Sequence, residues 1–247
     1  MAFSNYLLLT LALGFVPPLF WLWFWLKEDT HPEPKKEIVV VFFGGMGAVI
    51  LALILESNFL GLNELVRRTI GYSEITFTAI TLIGFAFIEE ISKTGAAFFT
   101  VLKTEYFDEP EDGIIYMITA ALGFAALENV LFISGSLKAS FEQSLVVSAF
   151  RFINAVLLHI SSAAIIGAGF AFSFFHKERR RRELMGAILI ATVLHALYNF
   201  FILYNEEGML SQLWATLLVI VGAITALILF EQAKKIVAES TPSSPSL

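Results

Sequence analysis

FIEEISKTGAAFF, Phe87–Phe99, sets two glutamates and a lysine inside an otherwise apolar run from Ile75 to Leu102. Such a run is long enough to cross roughly 30 Å of hydrocarbon as an α-helix rising about 1.5 Å per residue. A charge near mid-bilayer costs about 2.5 to 3.5 kcal/mol on insertion scales, so acids and a base at this depth have to pair around a shared polar cavity. The stretch predicts a transmembrane helix with one polar face, and the same pattern recurs along the chain.

Apolar runs of spanning length extend over Tyr6–Leu26, Ile38–Leu60, Ile75–Leu102, Ile114–Gly135, Leu145–Phe175, Leu184–Tyr204 and Leu213–Phe230. With 57% hydrophobic and only 15% charged residues, the 247-residue chain is not an ordinary soluble domain. The expectation is an all-α, polytopic bundle of about seven transmembrane helices forming one integral membrane domain over residues 1–235, with 236–247 a short disordered cytoplasmic tail. The first run carries Pro17 and Pro18, lacks a basic segment before it and ends in Trp21, Trp23 and Trp25, so it reads as a retained span and not a secretory signal.

Lysines and arginines orient the bundle. With the N-terminus outside and the C-terminus cytoplasmic, the inner segments collect Lys27, Lys35, Lys36, Lys103, Lys177, Arg179, Arg180, Arg181, Arg182, Lys234 and Lys235. Arg67, Arg68 and Lys138 remain outside, the asymmetry expected of cytoplasmic loops. A multi-pass protein of a prokaryotic plasma membrane follows, with membrane lipid as its surroundings. The basic residues gather in short loops and the net charge is -6, which argues against a nucleic-acid partner. No cysteine is present, so disulfides, thiolate metal sites and a cysteine nucleophile are excluded. Nothing in the sequence sets the oligomeric state.

Four consecutive spans carry ionisable groups. Glu89 and Lys93 are four apart and share a helix face, whereas Glu90 lies about 100° around, so one of the two acids can pair with Lys93. The fourth span holds GFAALEN with Glu128 and Asn129, the fifth RFINAVLLH with Arg151 and His159, and the sixth LHALYNFF with His195 and Asn199 on one face. Counted from the helix ends, Glu89, Glu128, His159 and His195 fall at similar depth. One buried glutamate or histidine alone is more often an interhelical hydrogen-bond partner, and Lys93 and Arg151 read as charge balance. Imidazoles and carboxylates gathered at one depth can activate water, as a general base or by holding a metal, and an amide such as Asn199 can donate to an oxyanion. HKERRRRE reads as a positive-inside loop, and GGMG at Gly44–Gly47 as helix packing rather than a phosphate cradle.

EEISK, GFAALEN, the Arg and His eight apart in RFINAVLLH, and HALYN, in that order on successive spans, resemble the PrsW family of intramembrane proteases. The loop DTHPEPKK is similar to the acidic, proline-containing loop after the first span of that family. The resemblance implies hydrolysis of a peptide bond in a single-pass membrane protein, such as an anti-sigma factor. It assigns Glu89 and Glu90 as paired acids, Lys93 as a fixed basic position, Glu128 as the acid of the second motif, and His159 and His195 as the imidazoles. Asn199, four after the last histidine, joins the catalytic set, with Lys93, Asn129 and Arg151 in support. Zinc or another divalent metal on Glu128, His159 and His195 is one reading, and a glutamate-dependent reaction without metal is the other. The same groups would suit a proton-coupled transporter or a non-catalytic membrane scaffold, although the chain has no paired halves and no clearly broken span.

Overall fold

The computed structural model describes residues 3–137, 140–203 and 209–240. Seven helices follow in order: α1 (Phe3–Glu28), α2 (Lys35–Ile70), α3 (Glu74–Ala97), α4 (Asp112–Leu137), α5 (Phe141–Phe172), α6 (Arg180–Leu203) and α7 (Met209–Ser240). A π-helical segment, Phe98–Leu102, continues α3, and no strand occurs among the described residues. All seven helices are long and apolar enough to cross a membrane. The all-α, seven-span expectation therefore holds.

Helix ends follow local chemistry more than hydropathy. α2 runs ten residues past Leu60, because Glu64 bridges Arg67 at 3.0 Å and Arg68 at 2.7 Å along its surface, pairs that favour helix. It stops where Gly71 takes φ 79°, a left-handed conformation costly for other residues, and its amide closes onto the Arg67 carbonyl. Ser73 and Ser140 cap α3 and α5, each side chain accepting from the amide three residues on. α5 ends at Phe172, three residues short of the expected end, and α7 carries helix through Ser240, so 236–240 are helical where a disordered tail was expected. Residues 241–247, Lys138 and the expected sixth-span end at Tyr204 lie outside the described residues.

α4 and α5 form the centre, with most of both spans buried. α1 and α2 pack on α4, α6 and α7 pack on α5, and α3 joins α2 to α6. α6 illustrates the resulting faces: Leu189, Ile190, Val193 and Leu197 are exposed, while Ala191, Thr192, His195 and Tyr198 turn inward. α2 and α4 cross at Gly45 and Gly123. A Cβ on Gly45 would lie 1.9 Å from the Ala120 carbonyl oxygen, and one on Gly123 1.9 Å from that of Phe42. This crossing exists because both helices present a bare backbone there, the small-residue contact typical of membrane helices.

Candidate functional site

Glu90 on α3 is fully buried and receives hydrogen bonds from two directions. Lys93 Nζ, one turn along the same helix, donates to its Oε1 at 2.6 Å, and Nδ1 of His195 on α6 lies 2.7 Å from the same oxygen. Of the two acids, Glu90 thus holds the short ion pair with Lys93, and Glu89 stands 3.9 Å from the ammonium. The ammonium also reaches Nδ1 of His159 on α5 at 3.1 Å. His159 Nε2 in turn lies 3.1 Å from Glu128 Oε2 on α4. Arg151 completes the chain: its guanidinium bonds Glu128 and donates from Nε to Asn129 Oδ1 at 2.6 Å, while its plane rests over Phe132. Asn129 donates to the Gly14 carbonyl oxygen at 3.4 Å and so anchors the network to α1.

Desolvating so many charges costs several kcal/mol per ion unless each finds a partner, and this continuous relay supplies those partners. Lys93 sits between Glu90 and His159, and Arg151 between Glu128 and Asn129, which fits their reading as charge balance.

Glu89 differs from the others. Its Oε2 is 3.8 Å from His195 Nε2 and has no hydrogen-bond partner among the described residues. It lines a cavity of about 1160 Å³ together with Glu128, Arg151, His159, His195 and Asn199, whereas Glu90 and Lys93 do not. The remaining walls include Leu53 and Glu56 of α2, Leu82 of α3, Leu131 of α4, Val146 of α5 and Ile202 of α6. All of these lie toward the bundle end that bears the α2–α3, α4–α5 and α6–α7 connections. Toward the opposite end, Ile114–Ala126 of α4 and Val156–Ala171 of α5 are almost entirely buried. The imidazoles and carboxylates form the floor of the cavity, and its other walls run from them toward the end that bears those connections.

Two lining residues escape the motif-based reading. Glu56 stands in LILESNF of the second span, and Tyr198 precedes Asn199. Glu56 obeys the same rule that singles out the other intramembrane acids, and only its absence from the motif order hides it.

The donor atoms that converge for a metal are those of Glu89, His159 and His195, one from each within 4.8 Å of one another and all three buried. This trio has Glu89 where the sequence reading had Glu128, because Glu128 is engaged by Arg151. Two imidazoles and a carboxylate are a catalytic zinc donor set, and the unpartnered Glu89 oxygen at the cavity floor fits such a role. His195 also has the supporting partner common behind metal-bound imidazoles, a carboxylate on its far nitrogen. To take part, His159 would exchange one of its present contacts, Lys93 or Glu128.

No solved structure matches the chain. Among curated proteins, the Protease PrsW of Clostridioides difficile (strain 630) is 28% identical over 81% of this chain and 80% of its own length. That of Geobacillus kaustophilus (strain HTA426) is 28% identical over 79% and 83%, and that of Bacillus subtilis (strain 168) 26% identical over 72% and 75%. The model of the PrsW family of intramembrane metalloproteases matches residues 33–229, which span all four polar helices and the cavity between them. The chain belongs to the PrsW family of intramembrane metalloproteases.

Proposed function

We propose that the chain hydrolyses a peptide bond in a single-pass membrane protein of the anti-sigma-factor kind, with Glu89 as the group that takes the proton from water. The observation that carries this reading is a buried carboxylate oxygen without a partner among the described residues, 3.8 Å from an imidazole nitrogen and lining a cavity shared with both histidines. A carboxylate so disposed can accept a proton and return it to the leaving amine. Glu90 fixes His195 from behind, so that Nε2 faces Glu89. Arg151 holds Glu128, and Glu128 holds His159. The Asn199 amide, on the same cavity wall, donates to the oxyanion of the tetrahedral intermediate.

In the metal-dependent alternative, Glu89, His159 and His195 would hold a divalent cation, with Glu89 then serving as a ligand and not as the base. The cation when bound supplies a Lewis acid that lowers the pKa of water and polarises a carbonyl. The N-terminus lies outside and the C-terminus in the cytoplasm, as the lysines and arginines imply, so the cavity opens extracytoplasmically. The lack of paired halves and of a clearly broken span in the sequence supports a hydrolase over a transporter.

The test compares membrane-protein fragments in cells carrying the native chain or Glu89→Gln, inserted at equal levels. A single-pass protein that persists intact only with Glu89→Gln supports the protease. Identical fragment patterns would overturn it.

A further inference from the structure

We propose that His31, Glu109 and Glu111 form a second cation site, distinct from the intramembrane cluster, which takes a divalent transition-metal ion such as Mn²⁺ or Zn²⁺ and ties the α1–α2 loop to the α3–α4 loop. Both loops emerge at the bundle end opposite the cavity mouth, where α1 and α3 finish and α2 and α4 begin. One donor atom from each of the three residues lies within 4.8 Å of the others. His31 Nδ1 is 2.8 Å from Glu109 Oε2 and 3.9 Å from Glu111 Oε1.

An acidic cluster alone would not mark a site, because carboxylates often crowd at helix ends. The distinguishing feature here is Glu111. It is only 2% exposed, its Oε1 accepts from Thr30 Oγ1 at 3.4 Å, and its Oε2 has no hydrogen-bond partner among the described residues. Asp29, 7% exposed, repeats the pattern beside it: one oxygen accepts from the His31 amide at 3.0 Å and the other has no partner. An unsatisfied buried carboxylate oxygen is costly, and retaining that of Glu111 beside an imidazole is explained if a cation completes it.

The adjacent acids show the contrast. Glu33, Asp108 and Asp112 also converge. Two of them already have donors inside the protein, since Tyr116 Oη donates to Glu33 and the Asp108 and Glu109 amides donate to Asp112 Oδ2 at 3.0 and 2.7 Å.

An imidazole with two carboxylates favours Mn²⁺ or Zn²⁺ over the hard, all-oxygen preferences of Ca²⁺ and Mg²⁺. The side chain of His31 is 63% exposed, so an ion can enter from water without opening the bundle.

The test uses the full chain in detergent with His195→Ala, which removes one donor of the intramembrane trio. After chelator treatment the protein is equilibrated with Mn²⁺ alone and then with Zn²⁺ alone, and bound metal is counted. The expected result is a cation retained by His195→Ala, accompanied by a rise in its thermal unfolding midpoint. Adding His31→Asn should weaken that binding by on the order of tenfold or more and remove the rise. His31 is exposed, so this variant keeps its fold if Glu111→Gln does not. Absence of metal on His195→Ala, or unchanged binding after His31→Asn, overturns the site. Neither outcome bears on the protease reading, whose failure would appear as unaltered membrane-protein fragments.

Discussion

Glu90 of α3 and His195 of α6 meet at 2.7 Å, oxygen to Nδ1, although 105 positions separate them in the chain. This bond joins two of the four polar helices and sets which nitrogen of His195 faces the cavity, so in the proposed mechanism Glu90 would act through His195 and not on substrate. Replacing Glu90 by Gln keeps the shape but weakens the hold on the imidazole. We expect kcat to fall by about 10- to 100-fold with KM little changed, the scale of losing an outer partner. A change confined to KM would contradict the positioning role.

Glu89→Gln should act differently. The oxygen it alters has no partner in the protein, so the fold loses little, while proton transfer loses its acceptor. Hydrolysis should drop by about 10²- to 10⁴-fold, the usual contribution of a general base, with insertion and thermal stability near native. Purified protein assayed on a detergent-solubilised single-pass substrate measures both quantities.

Lys93 and Glu90 form a fully buried ion pair. Lys93→Met removes one partner and strands the other, a loss of about 3 to 5 kcal/mol for a buried pair. The double variant Glu90→Gln with Lys93→Met leaves no stranded charge, so its destabilisation should be smaller than the sum of the two single changes. Unfolding in mixed micelles would reveal the coupling, and strict additivity would rule it out.

Much of this arrangement is legible in the sequence because hydropathy fixes the number of spans and the cost of intramembrane charge marks the residues that must meet. Counting residues from the helix ends suffices to bring Glu89, Glu128, His159 and His195 to one level. Partner choice is not legible. Helical spacing alone favours Glu89 for Lys93, yet Lys93 reaches across α3 toward α5 and bonds Glu90, because His159 shares the same ammonium. The α2 extension past Leu60 is decided by surface ion pairs, which a hydropathy profile does not register. Glu56, an acid inside the second apolar run, is by contrast legible by the rule for intramembrane charge and is passed over only because it stands in no motif.

The α2–α4 crossing gives a structural prediction with an internal control. Val at Gly45 or Gly123 would drive a Cβ against a carbonyl oxygen, a clash of backbone with backbone that no rotamer relieves. Each change should cost about 3 kcal/mol or more and lower the amount of folded protein in the membrane. Gly47→Ala is two positions from Gly45 with nothing within 4 Å of the added carbon, and should be tolerated. A loss at Gly47→Ala equal to that at Gly45 would overturn the assignment to the crossing, because Ala favours helix over Gly.

The direction in which the cavity opens can be read with single cysteines, because the native chain has none to remove. Glu56→Cys and Gln212→Cys line its walls, whereas Thr119→Cys and Ala164→Cys fall in the packed half of α4 and α5. A membrane-impermeant maleimide added to intact cells should label the first pair and spare the second, since only the thiolate in contact with water reacts. Labelling of the first pair only after the membrane is opened would mean that the cavity faces the cytoplasm. The lysine and arginine asymmetry would then have been misread, and a substrate would have to approach from the other side.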